Sequence, residues 1–421
     1  MKIEKISSAN GIITVPGDKS ISHRAVMFAS IADGITHITG FLNGADCLST
    51  IDCFRKMGVK IDVTENSVTV YGNGLKGLKE PKELLYTGNS GTTTRLLCGL
   101  LSGQAFDCQI SGDESIAKRP MKRVTAPLRE MGANIQGDFC PLKITGSTLH
   151  GFDYKMNVAS AQVKTAIILA ALNAEGTTRI FETEKSRDHT ELMLKAMGAD
   201  ITVDDLTITV RPTENLSAQD IEVPGDISSA AFFIVLGAIL KNSEITIKNV
   251  GINPTRTGII DVMLAMGADL TLKNERTITG EKVADIVIKS SDLKGTEIGG
   301  DLIPRLIDEI PIIAVASAFA KGKTVIKDAE ELKVKETNRI RAVVDEFKKC
   351  GIKITETDDG MIIEGDNTLK TADFKTYGDH RMAMSLAVLS QMSDEKFTID
   401  DEECVCVSYP EFFEDLYRLG Q

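Results

Sequence analysis

The chain has no tryptophan, few aromatics (5% of residues) and five scattered histidines. A pI near 5.1 and a formal net charge of −12 add a shortage of positive charge. A general nucleic-acid binder needs a basic footprint with aromatic or arginine platforms, and this composition argues against one. The eight cysteines, Cys47, Cys53, Cys98, Cys108, Cys140, Cys350, Cys404 and Cys406, include no CxxC pair and no Cys/His spacing of zinc type. Buried, reduced thiols are expected, and no metal site. Apolar runs around Ala230–Leu240 and Ile310–Ala320 have the length of buried helices and fall short of the roughly 18 residues a membrane span needs. The opening "MKIEKISSANGIITV" lacks the apolar stretch of a signal peptide. A cytoplasmic protein is expected.

What is present is ordinary globular material, 42% hydrophobic and 26% charged, in a chain of 421 residues, more than one core usually supports. The tag Met-Gly-Val/Ala recurs at Met57-Gly58, Met131-Gly132, Met197-Gly198 and Met266-Gly267, with a degenerate Cys350-Gly351 and a terminal Leu419-Gly420. Each tag closes an amphipathic run and most precede alternating residues, which reads as a helix stopped by glycine and then a hairpin of strands. Upstream of the tags lie helices rich in Ala, Leu and Ile, such as "KTAIILAALNAEG" and "EIPIIAVASAFAKG". The expected architecture is α/β, of α+β type, with six βαβαββ units. A second repeat, Val15-Pro16-Gly17-Asp18 and Val223-Pro224-Gly225-Asp226, marks two crossovers, near 15–18 and 223–226. The reading is a discontinuous domain of 1–16 and 226–421, three units, with a three-unit domain of 17–225 inserted in it.

The charges that depart from the repeat collect where apolar helices begin. Lys19, Ser20 and Arg24 open the first; "TGNSGTTTR" carries Asn89, Gly91 and Thr92 into another; "IAKRPMKR" offers Lys118, Arg119, Lys122 and Arg123. "NVASAQVKTA" brings Ser160, Ala161, Gln162 and Lys164, and "KSRDHTE" brings Ser186 and Arg187. In the second half stand Asp308 and Glu309, then Lys335, Glu336 and Arg339, then Asp379, His380 and Arg381. Helix N-termini present unpaired N–H groups and a positive dipole end, so cations added there make anion sites. Gathered in a cleft between domains, they would concentrate small polyanions on an acidic protein, with Asp308 and Glu336 available for acid–base work.

"PGDKSISHR", "TGNSGTTTR", "KRPM", "SAQVK", "IDEIP", "VKETNR", "GDHRMA" and "SYPEFF", in that order, resemble the 5-enolpyruvylshikimate-3-phosphate synthase family. "GDKS", "SAQVK", "RDHT" and "NPTR" further resemble its class often tolerant of glyphosate. The resemblance implies two domains of three βαβαββ units, an inverse-barrel-like fold with a cleft that closes on substrate. It also implies transfer of the enolpyruvyl group of phosphoenolpyruvate to the 5-hydroxyl of shikimate-3-phosphate with release of phosphate, in chorismate and aromatic amino-acid biosynthesis. No metal and no organic cofactor is implied.

By the same resemblance Lys19, Ser20, Arg24, Ser160, Ala161, Gln162, Ser186, Arg187, Asp308 and Lys335 hold shikimate-3-phosphate. Lys19, Asn89, Gly91, Thr92, Arg119, Gln162, Arg339 and Arg381 hold phosphoenolpyruvate. Asp308 takes the hydroxyl proton, Glu336 protonates the methylene carbon, and Lys335 and Lys19 assist. Two positions depart from the pattern. Cys406, Val407 and Ser408 stand where many members carry a lysine, and Gly91 where some tolerant members carry alanine. Two other readings stay open: an enolpyruvyl transferase acting on UDP-N-acetylglucosamine, and a non-catalytic protein of similar repeats that binds nucleic-acid ends. The expected partners are the two small substrates, with no nucleic acid or membrane, and a monomer is the default expectation.

Overall fold

The computed structural model describes residues 1–65 and 67–421. Its contacts divide into two compact units. One comprises Met1–Pro16, Pro224–Thr277 and Lys282–Gln421; the other comprises Gly17–Val223 and the short segment Ile278–Glu281.

The unit around Gly17–Val223 contains three four-stranded sheets of one pattern: a parallel pair, then an antiparallel hairpin. Thr178–Phe181, for example, pairs in parallel with Asp153–Lys155 and antiparallel with Thr207–Val210, which pairs with Ile201–Asp204. Alternation drives this: Thr207–Val210 places Ile208 and Val210 inward and its threonines half out. The chain ends its passage through this unit as the strand Ile221–Glu222, which pairs back onto Asp33–Thr39 (Ile221 opposite Ile38) and completes the first sheet.

The other unit has two such sheets and a third of different make. Ala372–Phe374 and Phe397–Ile399 pair in parallel, but no hairpin follows in the chain. The antiparallel neighbour comes from the N-terminus instead: Ile3 N donates to Phe397 O (3.0 Å), and Ile399 N to Met1 O (3.0 Å). Five units therefore carry their own hairpin, and the sixth is completed by residues nearly 400 positions away in sequence.

Inside each unit three helices form the core. They are Lys19–Ser30, Gly91–Ser102 and Ala161–Ala171 in one, and Ile227–Ile239, Ile310–Phe319 and His380–Ser390 in the other. All thirteen residues of Ile227–Ile239 are buried, a helix apolar on every side as core position requires. Amphipathic helices such as Ala45–Lys56 and Arg339–Lys349 alternate with them along the chain. Gly58, Gly132, Gly198, Gly267 and Gly351 end five of these at φ between 84° and 100°, which is why the tag keeps its glycine. No helix among the described residues is long and apolar enough to cross a membrane.

Core helices must begin somewhere, and their first N–H groups need acceptors. Asp18, Ser90, Ser160, Asp226 and Asp379 each accept from the following turn, at 2.8–3.4 Å. Polar residues at these starts are thus required by the fold, and the site grows from them.

Candidate active site

In the unit of Gly17–Val223, Lys19 is the first residue of its helix, and its ammonium pairs with Asp46 from the first turn of Ala45–Lys56. Arg24 is buried, and its guanidinium is held on three sides. Nε donates to Thr190 Oγ1 (2.7 Å), Nη2 to Thr165 Oγ1 (3.0 Å) and Nη1 to Ser20 O (2.9 Å). Those bonds tie the start of Lys19–Ser30 to the helices Ala161–Ala171 and His189–Ala196. Behind it, His23 bonds through Nδ1 to Thr50 (2.7 Å); burial, reinforced by Lys19 and Arg24 and opposed by Asp46, pushes its pKa down to about 3.

The turn Asn89–Thr92 lies beside the start of Ala161–Ala171 because the two helices pack closely. A Cβ at Gly99 would sit 2.0 Å from Ala166 O, so only glycine permits that approach. Gln162 uses both ends of its amide there, accepting from Arg95 Nη1 (2.6 Å) and donating to Thr92 Oγ1 (3.0 Å). Arg119 Nη2 reaches the same turn, donating to Asn89 Oδ1 (2.7 Å) and Ser115 Oγ (3.0 Å). Of the four cations of "IAKRPMKR" only Arg119 turns inward; Lys118, Lys122 and Arg123 are exposed.

Ser160 caps Ala161–Ala171, and Ala161 and Gln162 lie half-buried in its first turn. Ser186 is buried, donating through both N (3.2 Å) and Oγ to Glu182 Oε1. Glu182 pairs with Lys164 (3.1 Å), which also pairs with Glu191 (2.7 Å) and donates to Ser186 O (3.3 Å). Burial raises the Glu191 pKa against the pull of Lys164. Arg187 is half-buried beside Ser186.

The other unit holds a second cluster, centred on Arg339. Its side chain is 1% exposed and meets three carboxylates: Asp379 through Nε (2.8 Å) and Nη2 (3.2 Å), Glu336 through Nη2 (2.7 Å) and Asp308 through Nη1 (3.3 Å). Burial opposes the charge, but Asp379, Glu336 and Asp308 outweigh it and push the Arg339 pKa up. Lys335 Nζ lies 3.2 Å from the same Asp308 Oδ1, and Arg381 Nη1 donates to Asp308 O (3.2 Å). Asp308 thus faces both Lys335 and Arg339, and Glu336 shares Arg339 with it. Cys406 is exposed in the short turn Glu403–Val407, with no cation in that turn.

Apart from the exposed Lys118, Lys122 and Arg123, the residues singled out in the sequence lie in or beside these groupings, one set in each unit. Motif reading missed the partners that fix them: Asp46 for Lys19, Thr165 and Thr190 for Arg24, Arg95 for Gln162. Each is remote in sequence from its partner; Arg95, Thr165 and Thr190 lie inside quoted motifs, but nothing in those strings says which side chain each meets. Arg339, expected to clamp substrate, has four of its five N–H bonds engaged by neighbouring carboxylates, so it also sets where Asp308 and Glu336 stand.

Two compact units, each built on three sheets, with cations and helix starts clustered in one and carboxylates held by arginine in the other, fit a class of anion-handling transferases. The comparisons with known proteins make the class specific. The family model described as EPSP synthase (3-phosphoshikimate 1-carboxyvinyltransferase) matches residues 3–416. The chain is 57% identical over 421 residues to the 3-phosphoshikimate 1-carboxyvinyltransferase of Bacillus cytotoxicus, covering 99% of each chain. It is 54% identical over 426 residues to that of Bacillus subtilis, covering 100% of each. The structure of EPSP synthase from Acinetobacter baumannii superposes with a TM-score of 0.90 at 46% identity, covering 100% of this chain and 98% of that one. The chain belongs to the EPSP synthase family and is a transferase.

Proposed function

We propose that this chain moves the enolpyruvyl group of phosphoenolpyruvate onto the 5-hydroxyl of shikimate-3-phosphate, and that its two clusters divide the work. Lys19, Ser20, Arg24, Ser160, Ala161, Gln162, Ser186, Arg187, Asp308 and Lys335 bind shikimate-3-phosphate; Asn89, Gly91, Thr92 and Arg119, with Lys19, Gln162, Arg339 and Arg381, bind phosphoenolpyruvate. Arginine suits both anions because its planar fork pairs two-point with carboxylate and phosphate. The reading carries shikimate-pathway membership and a cytoplasmic location with it, and needs small-molecule partners only.

The chemistry follows from the acceptor hydroxyl. Asp308 takes its proton as the oxygen bonds to C2 of phosphoenolpyruvate, while Glu336 delivers a proton to C3, making a tetrahedral adduct with a methyl group. Glu336 then takes a proton back from C3 as the bond between C2 and the phosphate oxygen breaks, Asp308 returns its proton to the departing phosphate, and the C2–C3 double bond is restored. Lys335 and Lys19 balance charge as it develops. One observation carries this assignment: Asp308 lies within 3.3 Å of both Lys335 and Arg339 with its side chain 14% exposed, whereas Glu336, 2.7 Å from Arg339, is 26% exposed. Two carboxylates in unlike surroundings are what opposite proton-transfer roles need.

Asp308→Asn and Glu336→Gln keep shape and remove proton exchange. Each is expected to lower kcat for phosphate release by about 10²–10⁴-fold, with shikimate-3-phosphate binding by calorimetry within a fewfold of normal. Near-normal kcat in either variant removes that residue from its role.

A further inference from the structure

Glu309, Arg256 and the second Val-Pro-Gly-Asp copy have no part in the mechanism above, yet they join in one buried chain that ends on Arg381. Glu309 directly precedes the core helix Ile310–Phe319, and its carboxylate is fully buried. Oε1 accepts from Ser228 Oγ and lies 3.7 Å from Arg381 Nη1. Ser228 Oγ accepts in turn from Arg256 Nη2 (2.7 Å), and the same nitrogen reaches Asp226 Oδ1 (3.0 Å). Asp226 also caps its helix by accepting from Ser228 N (2.8 Å). Two arginines thus face two acids, with a hydroxyl at the centre.

Buried ion pairs seldom stabilise a fold better than apolar residues of the same volume, so a chain of them asks for another reason. Asp226, Arg256 and Glu309 are all at most 8% exposed in their side chains, whereas Arg381 reaches 12%. Arg381 is also half open in its bonding. Nη1 is tied to the carbonyl of Asp308 and the carboxylate of Glu309, while Nε and Nη2 take no protein partner among the described residues. A guanidinium fixed through Nη1 presents its Nε–Nη2 edge, the two parallel donors that fit a carboxylate or phosphate.

We infer that Glu309 is a positioning residue for Arg381. Ser228, Arg256 and Asp226 hold the Glu309 carboxylate, and Glu309 turns the Nε–Nη2 edge of Arg381 toward the carboxylate or phosphate of phosphoenolpyruvate. This rests on the reading of Arg381 as a phosphoenolpyruvate ligand. It also accounts for the sequence of the second repeat. Where the first copy adds Lys19 and Arg24, "VPGDISS" keeps the aspartate and supplies Ser228, and the cation comes from Arg256 of "NPTR".

Steady-state kinetics on the full-length protein tests it. Glu309→Gln retains an acceptor for Ser228 and removes the charge facing Arg381. It should raise KM for phosphoenolpyruvate about tenfold or more, since a small misplacement of a clamping group is costly, and leave KM for shikimate-3-phosphate within about twofold. Ser228→Ala should move the same constant by a smaller factor. The double variant should be no worse than Glu309→Gln alone, because both changes act through one carboxylate. An unchanged phosphoenolpyruvate KM, an equal rise in both KM values, or multiplied effects in the double variant would each overturn the inference. If Glu309→Gln does not fold, the KM split of Ser228→Ala decides in the same way. No turnover by the unsubstituted protein would overturn the functional reading itself, and the inference with it.

Discussion

Arg339 shows how a single buried residue can organise a site: four of its five donors reach three carboxylates from three separate segments, and two of those carboxylates are the proposed proton carriers. Gly91 works through its neighbours as well. A Cβ there would lie 2.8 Å from Arg95 Nη1 and 3.4 Å from Arg119 Nη1. Gly91→Ala must displace the Arg95 end that holds Gln162, and should raise KM for phosphoenolpyruvate severalfold while sparing that for shikimate-3-phosphate; a selective loss of shikimate-3-phosphate affinity would contradict this. His23 gives a pH prediction. Its folded pKa, about 3, lies below the unfolded value near 6.5, so the unfolded chain binds the extra proton. Its contribution is whole above pH 6.5 and is lost as pH falls toward 3, reaching about 2–3 kcal/mol at pH 4.5. His23→Asn should flatten the acid limb of a plot of unfolding free energy against pH by that amount. An acid limb as steep as in the unsubstituted protein would show that His23 is not the group responsible.

At the scale of elements, the core helices are legible because they are apolar on all sides, and the outer helices because a glycine closes five of them in the left-handed region. The sixth sheet was not legible in its completed form. Its antiparallel neighbour is the N-terminus, and pairing between Lys2 and Thr398 leaves no local pattern. The site divides in the same way. Positions such as Lys19, Ser160 and Asp308 stand out as polar groups where apolar helices begin; Asp46, Thr165 and Thr190 do not, because an acid or a threonine inside a helix looks ordinary until its distant partner is known. Lys164 lies between these cases, visible in "SAQVK" but explained only by Glu182 and Glu191. It anchors the segment carrying Ser186 through the Ser186 carbonyl and through Glu182, which takes both Ser186 donors. Lys164→Met would leave two buried acids without their cation and should cost about 3–5 kcal/mol in urea unfolding. A loss below about 1 kcal/mol would mean the pairs do not hold that segment.

For the whole molecule, the net charge of −12 and the local gathering of Lys19, Arg24, Arg95 and Arg119 are compatible because the cations are inward or half-buried, held by acids, amides and hydroxyls, while acidic residues dominate the composition. On the proposed function, such an arrangement would favour small anions over extended ones. The chain passes between units at Pro16/Gly17 and Val223/Pro224, and it sends the segment Ile278–Glu281 into the unit of Gly17–Val223, where Glu281 meets His189 Nδ1 at 2.6 Å. That third excursion has no repeat to announce it. The central claim, that the two clusters serve one transfer from phosphoenolpyruvate to shikimate-3-phosphate, is tested most directly by inorganic phosphate release from phosphoenolpyruvate with each of two acceptors. Phosphate release is predicted with shikimate-3-phosphate, one per acceptor consumed, and none above background with UDP-N-acetylglucosamine. Release only with UDP-N-acetylglucosamine, or with neither, would contradict the account.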